Sequence, residues 1–289
     1  LTLTLILALI FIGSAAMAQT DWSKVNIEKE FKVKSKIPGG VAKSLKNEPT
    51  FLNDYSITKA SLMKGVSQSG MMQKQGVSNV FGEAALAGVS AGALQTMIDE
   101  VHAEFVKELE AIGLKISDGQ AVIDEAGNKK DRDNTMIGKT DGKPIYDKTG
   151  LLDNTPDIKE QNIFRPSDKN VYLTTARIPG NFYNNAAKKA NVNMISINYT
   201  VRFASFESTK KANSNTLTTT AGLTILPKIT IINPKAAWGW VEFGKQIEAD
   251  NSWSLGLEET DSRDGSFWGL SSKGEYSIHA DEAKYVAEL

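Results

Sequence analysis

Between Ser90 and Ile112 the apolar residues fall three and four apart: Leu94, Met97, Ile98, Val101, Phe105, Leu109 and Ile112. That spacing predicts an α-helix with all seven on one face and Glu100, Glu104, Lys107, Glu108 and Glu110 mainly on the wet side. Ser90 suits the N-cap, and Gly113 supplies the left-handed residue that closes the last turn. Gly-Leu-Lys-Ile then enters a short strand, and an extended segment near Tyr55–Leu62 precedes the helix. The unit reads strand–helix–strand.

From Asn170 the period changes to two. Ile195, Ile197, Tyr199, Val201 and Phe203 alternate with Ser196, Asn198, Thr200 and Arg202, the pattern of a half-buried strand. Leu223–Ile232 is a second apolar run, in which Pro227 signals an edge or bulge. Trp238–Ile247 and Trp253–Leu257 read as further strands, with the polar stretches at 208–216 and 261–265 as separators, and a helix opens near Asp281. The expected fold is α+β: a βαβ-like N-terminal unit whose long amphipathic helix packs on a mixed sheet, then a β-rich antiparallel half.

The first eighteen residues, an uncharged apolar run closing on Ala16-Met17-Ala18, have the form of a secretory signal cleaved before Gln19. Residues 19–55 are mixed and polar and read as an N-terminal arm, with a short strand at Phe31–Val33. Residues 56–289 read as a single domain carrying a polar insertion at about 117–168. Thirty-three basic against 34 acidic residues leave a net charge of −1, which gives no field to attract nucleic acid or an anionic membrane. Cysteine is absent, so neither a disulfide nor a lipidated thiol can form. These features predict a bacterial protein of the periplasm or exterior without a lipid anchor.

Complete catalytic or metal signatures are scarce. Gly88-Val89-Ser90-Ala91-Gly92 matches G-x-S-x-G before a helix. It resembles the nucleophile turn of patatin-like lipases, which implies Ser90 as nucleophile with a distant Asp such as Asp141. Against this, the preceding FGEAALA lacks the β-branched residues of an elbow strand, and Ser90 as a helix cap explains the same string. His102, with Asp99 close by, and the distant His279 are the only histidines, so no metal site is expected. No nucleotide-binding string occurs, and no cofactor is expected. The acidic run from Asp124 to Asp133 lacks the spacing of a calcium loop. Trp238, Trp240, Trp253 and Trp268 cluster near the C-terminus and are the candidate binding residues, as a stacking platform or a contact surface. The β-rich strands could also supply one hairpin to an oligomeric outer-membrane pore.

The segment AALAGVSAGALQTMIDEVHAEFVKELEAIGLKI resembles a pattern in exported bacterial proteins of unassigned role. Leu86, Gly88, Val89, Leu94, Gln95, Asp99, Phe105, Leu109 and Gly113 carry the match. It is also similar to the front of the curli secretion-channel family and to the periplasmic N-terminal domain of TolB-like proteins. The resemblance implies a long helix laid on a sheet just after an N-terminal strand, with no catalytic duty for Ser90. The expectation is an exported, non-catalytic binding or assembly protein, whose partner is an envelope protein or a second copy. The alternatives are a serine esterase and a subunit of an outer-membrane secretion assembly.

Overall fold

The structure, a computed structural model, describes residues 26–67, 80–119, 137–138, 144–146, 157–167, 172–173, 180–211, 214–235, 237–263 and 272–289. The chain opens with α1 (Ile27–Glu30), β1 (Lys34–Lys36), α2 (Gly39–Asn47), β2 (Thr50–Ser67), β3 (Val80–Ala87), α3 (Ala91–Ala111) and β4 (Ile116–Ser117). It continues with β5 (Ile137–Gly138), β6 (Pro144–Tyr146), β7 (Ile158–Phe164), β8 (Tyr172–Leu173) and α4 (Gly180–Ala190). The last part holds β9 (Asn193–Lys211), β10 (Ser214–Ile232), β11 (Trp238–Glu242), β12 (Ile247–Glu248), β13 (Ser254–Arg263), β14 (Ser272–Ala280) and α5 (Glu282–Glu288).

The architecture is α+β and rich in strand. Twelve strands form one mixed sheet along the path β1-β11-β10-β9-β2-β3-β14-β13, and β2 is its axis. The first half of β2 runs parallel to β9, from Thr50↔Asn193 to Lys59↔Val201. Its last residues pair antiparallel with β3, from Leu62↔Ala85 to Ser67↔Val80. β7 and β4 lie on the opposite edge of β2.

The register separates two faces. Tyr55 and Ile57 fall in line with Ile197 and Tyr199 of β9, and those with Ile229 and Pro227 of β10. α3 covers this face, its His102 and Phe105 rings 5.2 and 5.3 Å from Tyr55. Five residues of its apolar stripe are buried, while Val101 and Ile112 are half-buried. α2 joins the same layer through Val41, packed over Gly239. On the other face Phe51, Met194 and Ile232 are buried outside the main core, and α4, with buried Ala186 and Ala187, packs against β10.

Several sequence expectations change. FGEAALA, poor in β-branched residues, nevertheless forms β3. Its small residues answer a packing need: the distal half of the β9–β10 hairpin crosses over β2 and β3. A Cβ at Gly65 would stand 2.4 Å from the Phe206 ring, and one at Gly82 2.9 Å from Leu217. The polar stretch at 208–216 is no separator: 208–211 extend β9 and 214–216 begin β10. Both strands run 19 residues, and Glu207, Ser208, Thr209, Thr216 and Thr218 are exposed. Near Ala221–Thr224 a bulge bends β10, and the backbone of Leu223 is satisfied by Asn251 and Ala249.

The arm expected over 19–55 is built into the fold where it is described. Phe31, Val41 and Leu45 join the core, the short strand falls at Lys34–Lys36, and β2 begins at Thr50. The end of the expected insertion supplies β7, with Ile158 and Phe164 buried. The signal segment and residues 120–136 of the insertion lie outside the described residues.

Candidate functional site

Ser90 sits where β3 turns into α3, so the strand–turn–helix corner is present. Gly88 makes the turn with φ +88, and a Cβ there would stand 2.6 Å from the Ala280 carbonyl. The Ser90 hydroxyl accepts the Ala93 amide at 3.2 Å, the bond of an N-cap. The Ser90 amide donates to Glu282 Oε2 at 2.5 Å, which with a second bond from the Ser90 side chain holds the Glu282 carboxyl below its ordinary range. The start of the helix thus carries a carboxylate. An acyl-transfer site needs the reverse there, with amides aimed at a developing oxyanion. Both histidines are engaged elsewhere. His102 is buried against Tyr55, and His279 lies 3.2 Å from Glu258. Asp141 lies outside the described residues.

Asp99 is taken up structurally. It accepts the Ser167 amide and hydroxyl, each at 2.7 Å, and the Gln95 amide group at 3.0 Å. Burial would raise its pKa, but the Ser167 bonds prevail and hold it low. Among the described residues no group of His, Asp and Glu could hold a metal ion. No described helix is long and apolar enough to cross a membrane.

The tryptophans part company. Trp253 is fully buried, edge to face with Tyr285 at 5.1 Å, and packs the core beneath α5. It offers no contact surface, a correction that follows from the α5 helix closing over it. Trp268 lies outside the described residues. Trp238 is 39% exposed and Trp240 half-buried, two residues apart on one face of β11. Lys36 stands opposite Trp240, and Lys34 opposite Glu242, so the aromatic pair borders a basic edge strand.

The other end of the sheet differs in kind. β13 pairs with β14 alone among the described residues. From Leu255 to Ser262 every residue is exposed, on both faces, with Leu255 68% and Leu257 42% exposed. A regular strand normally buries one face. Glu258, Glu259 and Asp261 follow the leucines. Sequence reasoning missed this strand's exposure. The available signal was the clash between Leu-x-Leu and the acids immediately after it, which cannot share a core face.

A polar ladder crosses the face that α4 covers in part. Asn198 donates to Ser56 and Thr58 at 3.0 and 2.9 Å, and Asn53 donates to Ser196 at 3.0 Å. Arg165 pairs with Asp54 at 2.8 Å, and Arg202 with Asp157 at 2.9 Å. Arg202 bonds Asp157 through Nε alone, and its buried Nη1 has no hydrogen-bond partner among the described residues. Comparison with protein-family models, curated proteins and solved structures finds no match, so function is argued from this chain's residues alone.

Proposed function

We propose that the protein is an exported, envelope-associated binding or assembly protein that works by contact rather than by catalysis. One observation carries the reading: Leu255 and Leu257 are unburied on the edge strand β13, which among the described residues pairs on one side only. A strand edge is a template for another strand, and the acids and two bulges of β13 restrict which strand can join it while leaving Leu255 and Leu257 exposed for contact. The apolar start and the cleavage-type sequence before Gln19 support export.

The rival reading is a serine esterase, favoured by the strand–turn–helix corner at Ser90. The Glu282 carboxylate on the Ser90 amide, and the hydroxyl's use as a cap, weigh against it. A fluorophosphonate probe tests this on the mature protein. The expected result is no labelling above a heat-denatured control. Labelling that disappears in Ser90→Ala overturns the contact reading.

A further inference from the structure

The two ends of the sheet are chemically complementary, and this deepens the contact reading by naming the partner. At one end β1 carries Lys34 and Lys36, with Lys32 just before it, all exposed, and Trp238 and Trp240 stand behind them on β11. At the other, β13 carries Glu258, Glu259 and Asp261 behind exposed Leu255 and Leu257. Among the described residues, three of the four exposed large hydrophobic side chains lie on β13 or on β11 next to β1. Among the described residues each end offers a strand paired on one side, an exposed apolar contact and a predominance of one sign of charge.

We infer that copies of this chain associate head to tail, the acidic β13 edge of one copy joining the basic β1 edge of the next. The partner is a second copy because this chain supplies both halves. Charge complementarity favours this pairing over β13 against β13, which brings two acidic strands together. β1 is short, so the ladder itself is brief. The contact draws on Leu255 and Leu257 meeting the Trp238–Trp240 face, with lysines and acids setting the register. A heterologous contact either closes into a ring or continues as a filament.

Sedimentation velocity of the wild-type mature protein, over a dilution series, gives the first readout. Assemblies larger than a monomer are expected, dissociating at high salt because exposed charges are screened. Two edge variants give the second: Glu259→Lys with Asp261→Lys, and Lys34→Glu with Lys36→Glu. All four positions are exposed, and circular dichroism checks that each variant folds. Each variant alone is expected to be monomeric. An equal mixture is expected to assemble again beyond the dimer, since the intact edges of the two variants match in charge and so do their two reversed edges. A wild-type monomer throughout the series overturns the inference, as does a mixture that stays monomeric. Either result leaves the non-catalytic reading to the fluorophosphonate test.

Discussion

At the residue scale, burial decides what each side chain can do. Lys59 lies on the α3 face of β2, nearly inaccessible, and desolvation lowers its pKa from 10.5 to about 8. The folded state therefore releases the lysine's proton before the unfolded chain does. Stability is expected to rise as pH climbs from about 8 toward 10.5. The tyrosines work the other way. Burial pushes Tyr199 up to about 12 and Tyr55 well above its ordinary value, so stability falls once unfolded tyrosines ionise above about pH 10. Urea midpoints between pH 7 and pH 10 check the lysine's share. In Lys59→Met the rise is expected to vanish and the neutral-pH midpoint to increase; an unchanged slope contradicts the assignment.

Phe105 tests the helix face directly. It is buried from α3 against Tyr55, and truncation to Ala is expected to cost about 3–5 kcal/mol, as for other large buried rings. A shift in thermal midpoint of only a degree or two would refute the packing described.

At the scale of elements, the β9–β10 hairpin is held over β2 and β3 by Phe206 and Leu217 seated on glycine. Gly65→Ala is expected to destabilise the fold by roughly 1–3 kcal/mol, the cost of overpacking. Phe206→Ala in the same chain removes the ring carbons that crowd the new Cβ, so the double variant is expected to lose less than the sum of the single ones, read by a double-mutant cycle in urea. Additive losses would mean that the two positions do not meet. This contact also explains why β3 was illegible in the sequence. Ala84, Ala85 and Gly82 look like weak strand formers, but the backbone approach they permit depends on a hairpin more than a hundred residues away. The helix at Ala91–Ala111 was legible because its stripe, N-cap and Gly113 stop are all local.

At the scale of the whole molecule, the α+β class could be read from the switch of hydrophobic period, but the sheet order could not. Nothing near Thr50 in sequence announces its pairing with Asn193, nor anything near Val80 its pairing with Ser272. The candidate surface was half legible. Trp238 and Trp240 do stand together on one face, whereas Trp253 belongs to the core because α5 folds back over it. The edge β13 became visible only once β14 was known as its one neighbour among the described residues. Among the described residues the sheet ends in two strands of opposite charge, each paired on one side, and the serine corner between β3 and α3 is capped and carries a carboxylate.

Site-specific photo-crosslinking in the producing cell, with the photoreactive residue at Leu257, tests contact at this edge most directly. Position 107, on the exposed side of α3, serves as the control. The account expects a crosslinked species from Leu257 at twice the protein's mass or higher, and none from position 107. Equal or absent crosslinking at the two positions would contradict it.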